Sequence, residues 1–309
     1  MPTTLSPPTA PDPQRQLAWA VVARAALTDP GLTHELLRTR DVEEVASDIT
    51  SGVIGGLPSG LRDHAARDLD RAHRYDARLL TPDDDQWPRH ELAALDGPDT
   101  GAVSPIALWV RGTASLDLFA KSRIAVIGAR AASEYGIRVA ADFAGTSATA
   151  GWTIIAGGAF GVDAAAHQAA LVRQAPTVAV LATGVDRAHP SAHADLFDRI
   201  REQGLLVSEY PPGSSAAKPH FLQRNRLIAA LSRAVVIPEC GLRSGSRNTA
   251  GWAHTLGRPV FAVPGSMYSA ASAGCHDMIA AGTAQLAVDP HQVLAALAYQ
   301  PPSPTDPRQ

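Results

Sequence analysis

Cysteine and lysine are both scarce in this chain of 309 residues. The two cysteines, Cys240 and Cys275, give neither a disulfide framework nor the ligand spacing of a metal site. We therefore expect free thiols, as is usual for a protein of a reducing cytosol. Of the 27 lysines and arginines, only Lys121 and Lys218 are lysines, which makes both positions of interest.

Long hydrophobic runs are also missing. The segment LAWAVVARAAL near the N-terminus is too short to span a bilayer, and Arg24 interrupts it. No basic segment precedes it, so it does not have the form of a signal peptide. The sequence thus predicts a cytoplasmic protein without a membrane span.

Positive charge is not in excess over the whole chain, which has a net charge of -3 and a pI of about 6.4. Nucleic-acid binding would therefore have to rest on a local patch of cations. Residues 218–247 form such a patch, because they hold six lysines or arginines against one carboxylate, Glu239, for a local charge of +5.

The motifs of common enzymes are absent, including GxSxG, HExxH, CxxC and the phosphate-binding GxxxxGK[ST]. Glu209 and Glu239 lie near predicted strand ends and could form a pair, although nothing in their spacing requires it. We expect no catalytic residues, no metal and no cofactor.

The hydrophobic pattern divides the chain. Residues 14–78 show apolar positions at helical spacing and predict a small all-helical domain. Residues 79–298 then form the second domain. From residue 121 onward it holds six short apolar runs that end at a glycine or a turn: RIAVIG, TIIAGG, TVAVLATG, GLLVSEYPPG, AVVIPECG and PVFAVPG. Helical segments between them indicate an α/β fold with a doubly wound, mostly parallel, Rossmann-like sheet. Residues 1–13 and 299–309 are expected to be disordered tails.

Three strand-to-helix turns carry candidate binding residues, because ligands of such folds lie outside the carboxyl ends of the strands. The first, IAVIGARAASEYG, contains Arg130 and Ser133, and it lacks the second glycine of a dinucleotide-binding turn. Arg130 could bind a ligand or lie in solvent beside a structural turn. The second turn, TIIAGGAFGVD, offers the close approach of a phosphate at Gly157, Gly158 and Gly161, with Asp163 as a helix cap or a ligand contact.

The third turn, PECGLRSGSRNT, places Ser244, Ser246 and Thr249 where a helix begins, so that hydroxyls and free amides point the same way.

The segment KPHFLQRNRLIAALS predicts a helix that begins with cations and an aromatic ring. Phe221 and Asn225 share a face with Arg224 beside them, whereas Arg226 lies about 160° from Arg224 at 100° per residue. We expect Lys218, Phe221 and Arg224 to face a ligand, and Arg226 either to join them at the helix start or to make an internal or dimer contact. An aromatic ring beside cations suits single-stranded nucleic acid.

The order of these motifs resembles the DNA-processing protein A family (DprA, also called Smf). The resemblance runs from about residue 80 to 298 and rests on IGARAASEYG, AGGAFGVDAAAHQAAL, TVAVLATGVDRAHP, LVSEYPPG, FLQRNRLIAALS, RSGSRNTAGWA and FAVPG. The helices before residue 80 resemble the small N-terminal domain of this family, which implies that the domain at residues 14–78 is of the SAM-like type. His189 stands where a tyrosine is usual before Pro190. The chain ends soon after its last predicted helix, so the C-terminal winged helix of many relatives is not expected.

The resemblance implies a non-enzymatic protein that binds single-stranded DNA. Such a protein would act as a homodimer, protect incoming strands during natural transformation and homologous recombination, and load the RecA recombinase onto them. The implied DNA pocket is carried by Arg130, Lys218, Phe221 and Arg224, together with the glycine turn and the segment Arg224–Asn225–Arg226.

Two other functions remain open at this point: a phosphoribohydrolase-like enzyme acting on nucleotides, and a sensor that binds a small nucleotide. The segment SGSRNTAGWA lacks the glutamate of phosphoribohydrolases, which disfavours the enzyme.

Overall fold

The computed structural model describes residues 12–98, 100–115 and 122–298. The predicted tails therefore lie outside the described residues, apart from Asp12 and Pro13, and so does Lys121. Pro13 is the first residue of a helix, and the Asp12 carboxylate caps this helix by accepting a hydrogen bond from the Gln14 amide.

Four helices precede the sheet, as predicted. They are α1 (Pro13–Ala26), α2 (Pro30–Leu37), α3 (Val42–Ser51) and α4 (Leu61–Arg74). Asp29 and Asp41 cap α2 and α3 through their side chains. Helix α1 packs against α3 and α4 and buries Trp19 and Val22.

The rest of the described chain alternates strands and helices. The elements are β1 (Ala77–Leu80), α5 (Arg89–Ala93), β2 (Leu108–Arg111), β3 (Arg123–Val126), α6 (Glu134–Thr149), β4 (Thr153–Ala156), α7 (Val162–Val172), β5 (Thr177–Leu181), α8 (Ala194–Gln203), β6 (Leu205–Ser208), α9 (Lys218–Ala230), β7 (Ala234–Ile237), α10 (Ser246–Thr255), β8 (Val260–Ala262), α11 (Ala273–Ala280), β9 (Gln285–Leu286) and α12 (Pro290–Ala298).

The nine strands form one sheet in the order β1-β2-β6-β5-β4-β3-β7-β8-β9. The seven strands from β6 to β9 in this order are parallel, and β1 and β2 add an antiparallel edge. Each of the six apolar runs is a strand, so the predicted α/β class is confirmed. The parallel strands β3 to β8 are buried throughout, as expected for a sheet with helices on both faces.

The antiparallel edge was not predicted, and the segment between β1 and β2 contains α5 and a short 3-10 turn at Ala94–Asp96. Four-residue strands such as β1 carry too few positions for an alternating pattern to show. Their pairing depends on partners distant in the chain, since β2 lies against β6.

The order of the strands places a topological switch point between β3 and β7. From β3 the chain moves outward to β4, β5 and β6, and it then returns to β7 on the other side of β3. The helices that follow β3 and β7 therefore diverge, which opens a crevice at the carboxyl ends of the two strands.

Within the described ranges, no helix is long and apolar enough to cross a bilayer. The same residues contain no group of three or more histidine, cysteine or acidic side chains that could hold a metal ion.

Candidate functional site

A cleft of about 970 Å³ occupies the crevice at the switch point. One wall is the turn after β3, which includes Gly128 and Arg130, and another is the first turns of α9. The loop after β7 and the start of α10 form the third wall, and Ala270 and Ala271 complete the rim. Three of the four candidate segments that the sequence indicates thus form the walls of one cavity, and the fourth, the turn after β4, adds Ala159 and Asp163.

A cation–aromatic cluster lies at the mouth of this cleft. The guanidinium carbon of Arg130 lies 5.2 Å from the centre of the Phe221 ring, and Lys218 lines the same cavity from the first residue of α9. Pro219 follows Lys218 in the first turn of α9. Proline is favoured in the first turn of a helix, because the backbone amides there have no acceptor within the helix. Both cations are exposed. The structure thus places Lys218 and Phe221, which were expected to face a ligand, beside Arg130, for which the sequence had left a solvent position open.

Arg224 lies beneath the cluster and is 6% exposed. Its guanidinium donates hydrogen bonds to the backbone carbonyls of Gly157, at 2.9 Å, and Val180. Burial lowers the pKa of Arg224 to about 10, against the opposing effect of Asp163, so the side chain is charged at neutral pH. Arg224 therefore ties α9 to the turn after β4 and to strand β5 itself, while it lines the floor of the cleft.

Asp163 is the acidic partner of this buried centre. Its carboxylate accepts hydrogen bonds from the amides of Gly157 at 2.9 Å, Ala159 at 3.4 Å and Gly128 at 3.4 Å. Burial raises the pKa of Asp163, and the charge of Arg224 and the three amides act in the opposite direction. The carboxylate thus joins the turns after β3 and β4.

The three predicted glycines approach protein atoms and do not line the cleft. A Cβ atom on Gly157 would lie 2.3 Å from a guanidinium nitrogen of Arg224, and one on Gly161 would lie 2.3 Å from the Ala129 carbonyl oxygen. Gly158 and Gly161 also have φ angles of +77° and +75°, which side chains with a Cβ rarely adopt. These glycines let the turns pack together, and Ala159 is the residue through which the turn after β4 itself reaches the cavity.

The hydroxyl groups of the third turn do line the cleft, and these residues are Ser244, Ser246 and Thr249. The Ser244 and Ser246 hydroxyl oxygens lie 2.7 Å apart at the beginning of α10. Asn225 holds this wall in place, because its amide donates to the Asn248 side chain at 3.1 Å and to the Gly245 carbonyl at 3.4 Å. The positive end of the α10 helix dipole, together with these hydroxyl groups, favours an anion at this wall.

Besides the three glycines, two more predicted site residues lie outside the cleft. Arg226 points to the other side of α9, where it donates two hydrogen bonds to the Glu209 carboxylate at 2.7 and 2.9 Å. Ser133 caps α6 and binds Glu239, with its amide at 2.7 Å and its hydroxyl at 2.6 Å from the two carboxylate oxygens. Neither residue faces the cavity, so their expected contact with a ligand there is not supported by their placement.

The same contacts separate the two glutamates that could have formed an acid–base pair. Glu209 is neutralised by Arg226, and Glu239 is 1% exposed and saturated by Ser133. His167 in α7 is buried against the Thr177 hydroxyl at 2.8 Å, and burial lowers its pKa to about 3. These groups have structural roles, and the geometry shows no paired carboxylates at the cleft.

Two side chains that line the cleft, Arg243 and His189, had been given no binding role from the sequence. Arg243 was counted in the cationic patch, and its place just after a strand end, beside the serine-rich turn, was a usable signal. His189 comes from the loop after β5, and its ring centre lies 5.5 Å from that of Phe221. Periodicity gave no signal for it, because the loop has no regular pattern.

The balance of charge in the cleft is strongly positive. Arg130, Lys218, Arg224 and Arg243 are its cations, and Asp163 is the sole carboxylate among the described residues that line it. Because Asp163 is committed to the turn amides, the three exposed cations have no acidic partner within the lining. The cavity can therefore attract a polyanion and offer an aromatic face to its bases.

Comparison with known proteins gives a consistent result. The family model described as DNA recombination-mediator protein A matches residues 78–298. A relative from Mycobacterium tuberculosis that bears the name DNA processing protein DprA is 46% identical over 275 residues, which cover 86% of this chain and 71% of the relative.

Two solved structures share the architecture. DNA processing protein A from Streptococcus pneumoniae has a TM-score of 0.71 and 29% identity, covering 94% of this chain and 100% of that one. The Helicobacter pylori protein, whose structure is described for its single-stranded DNA binding mode, has a TM-score of 0.63 and 27% identity, covering 72% of this chain and 96% of that one.

Proposed function

Because the chain belongs to the DNA recombination-mediator protein A (DprA/Smf) family, we propose that it binds single-stranded DNA in the cleft at the switch point. The observation that carries this proposal is the cluster of exposed Arg130 and Lys218 around Phe221, in a cavity whose carboxylate is buried. The binding of single-stranded DNA by the Helicobacter pylori relative supports it.

Each group in the cleft has a distinct role in this proposal. Arg130, Lys218 and Arg243 neutralise phosphates, and the Phe221 ring stacks on a base. Ser244, Ser246 and Thr249 hydrogen-bond the backbone of the strand at the start of α10. The buried groups shape the cleft: Asn225 holds the α10 wall, and Arg224 with Gly157, Gly158 and Gly161 holds the floor.

Binding of DNA should be tested by the anisotropy of a labelled oligo-dT strand at two salt concentrations. Each phosphate contact on a single strand contributes about 0.7 to the slope of log affinity against log salt. We expect the double variant Arg130→Glu/Lys218→Glu to lose most affinity and to have a shallower slope. Arg62→Glu, a change of an exposed arginine on α4, is the matched control and should bind as the unchanged protein does.

Equal affinity of the double variant and the control would remove the proposal. The same titration with duplex DNA measures strand preference, which we expect to favour the single strand because an aromatic platform needs an unpaired base.

We further propose that the chain protects incoming strands in the cytoplasm and loads RecA onto them during transformation and recombination, acting as a homodimer without catalysis. The family description as a recombination mediator supports this role. A strand-exchange assay with single-strand-binding protein present tests the loading step. A mediator should shorten the lag before RecA filaments form, and an unchanged lag would contradict loading. Sedimentation velocity measures the oligomeric state.

A nucleotide sensor is the second candidate, and the hydroxyl-rich start of α10 favours it, because that wall alone could hold one phosphate. Competition separates the two functions. A mediator should release a labelled oligonucleotide only to longer strands, whereas a sensor should release it to a nucleoside monophosphate at low concentration.

A further inference from the structure

His189 lies in the DNA-binding cleft but belongs to none of its cationic groups. It is exposed on the loop after β5, and its ring is tilted by 53° against the ring of Phe221, with 5.5 Å between the centres. Phe221 is thus contacted by a fixed cation, Arg130, and by an imidazole, whose charge ordinarily changes between pH 5 and 8.

The charged groups around His189 are mostly positive. Those that line the same cavity are Arg130, Asp163, Lys218, Arg224 and Arg243. Asp163 is buried and bound by backbone amides, as described above. It therefore offers no surface carboxylate to the imidazole.

The neighbours of His189 on its own loop are also committed. Asp186 is held by Arg71 at 2.6 Å and by the Gly213 amide at 2.8 Å. Arg187 points to the Ser215 hydroxyl at 3.4 Å, and His193 interacts with the Gly158 carbonyl at 3.0 Å. Among the described residues, His189 forms no ion pair with a carboxylate, so a proton on its ring has no negative partner in the free protein.

We propose that His189 is a proton-dependent phosphate contact, so that single-stranded DNA binds more tightly as the pH falls. This inference rests on the proposed binding of single-stranded DNA. A base stacked on Phe221 brings its flanking phosphates to the neighbouring ring, and a phosphate favours the protonated imidazole. Because the coupling of two ligands is reciprocal, DNA that draws a proton onto His189 must bind better where protons are abundant.

The sign follows from the charges. Above the titration range the imidazole is neutral and adds no charge to the cleft. Below that range it becomes a fourth exposed cation beside Arg130, Lys218 and Arg243.

The test measures the affinity for a labelled twenty-nucleotide oligo-dT at pH 8.5 and pH 6.0, in the unchanged protein and in His189→Phe. The phenylalanine keeps the aromatic contact with Phe221 and removes the proton. The readout is the change with pH within each protein, so that the other histidines contribute equally to both. Far-ultraviolet circular dichroism at each pH verifies that both proteins are folded.

We expect the affinity of the unchanged protein to rise about three- to tenfold more than that of His189→Phe between pH 8.5 and 6.0, as one added charge contact at a partly exposed site allows. Its salt slope should also steepen by about 0.7 at pH 6.0, the value for one more phosphate contact on a single strand. A second variant, His189→Lys, carries a fixed charge and should show the steeper slope at both pH values.

Equal pH dependence of the unchanged protein and His189→Phe, with both binding DNA, would overturn this inference and leave the proposed function intact. Absence of binding at either pH in the unchanged protein would instead reject the proposed function. A variant that fails to fold is replaced by His189→Tyr, which also lacks a proton that titrates in this range.

Discussion

The buried charge centre beneath the cleft should be essential for stability. Arg224→Met removes the guanidinium but keeps an unbranched side chain of similar length. The carbonyls of Gly157 and Val180 then lose their donor, and Asp163 loses its nearby positive charge. Removal of one partner from a buried charged network typically costs about 3–5 kcal/mol. With a urea dependence of about 1–3 kcal/mol per molar, the unfolding midpoint should fall by at least about 1 M.

The pH dependence of this loss has a definite sign. Burial raises the pKa of Asp163, and the charge of Arg224 opposes that rise. In Arg224→Met the carboxyl group should therefore keep its proton to a higher pH. An acid whose pKa is raised by folding destabilises the folded state above that pKa and recovers stability as the pH falls through it. The loss of stability should thus be smaller at pH 5 than at pH 8.

DNA binding by the same variant separates a structural role from a direct contact. Because Arg224 is buried and donates hydrogen bonds to the carbonyls of Gly157 and Val180, the salt slope of Arg224→Met should equal that of the unchanged protein at a temperature where both are folded. Lys218→Met, an exposed cation of the same cleft, should reduce the slope by about 0.7 without changing the urea midpoint. The reasoning is refuted if Arg224→Met unfolds at the original urea concentration, or if its slope falls like that of Lys218→Met.

Three further predictions follow from the geometry. Gly161→Ala should lower the free energy of unfolding by more than about 1 kcal/mol, because its φ is +75° and the new methyl group meets the Ala129 carbonyl. The control Gly251→Ala, on the open face of α10, should raise the free energy of unfolding by about 0.5–1 kcal/mol. Urea unfolding measures both, and equal effects of the two variants would contradict this prediction. Phe221→Ala should weaken the binding of oligo-dT by about 1–3 kcal/mol, as loss of a stacked base does, whereas Phe221→Trp should retain the affinity of the unchanged protein. Anisotropy titration measures both affinities, and an unchanged affinity of the alanine variant would exclude stacking. Burial lowers the pKa of His167 to about 3, below its ordinary value of 6.5. The free energy of unfolding should therefore decline as the pH falls below 6.5, by about 2 kcal/mol at pH 5. His167→Gln should show a weaker decline in acid unfolding, and an identical decline in both proteins would disprove this role of His167.

The parallel half of the sheet was predictable because its strands carry their own signal. Runs such as TIIAGG and AVVIPECG are apolar on both faces and end at a glycine, which only a covered parallel sheet requires. The β1–β2 edge was not predictable, because its residues have no distinguishing pattern and are held by pairing with β6. Local sequence therefore determined the strands that are buried on both faces, and long-range contact determined the edge.

The candidate site divides in a similar way. The sequence indicated three side chains that the structure places together at the mouth of the cleft, Arg130, Lys218 and Phe221. Each stands at the end of a strand or the start of a helix, and these positions converge at the edge of the sheet. Arg226 and Ser133 stand in similar segments, yet each meets a glutamate that is distant in the sequence, Glu209 and Glu239. The glycines of the turn after β4 were expected to admit a phosphate, whereas the groups that approach them in the structure are Arg224, Phe197 and the Ala129 carbonyl. Sequence spacing identifies which segments converge, and it does not identify which partner each side chain takes.

The helices α1, α3 and α4 share one hydrophobic core with β2, β5, β6 and α8. A chain that began at residue 77 would therefore present Trp109, Leu206 and Phe197 to water, although every group that lines the cleft would still be encoded. It would also lose Arg71, the partner of Asp186, and with it an anchor of the loop that carries His189. Shortened genes that retain all the cleft-lining positions should consequently yield an aggregation-prone product, because the leading helices cover one face of the sheet.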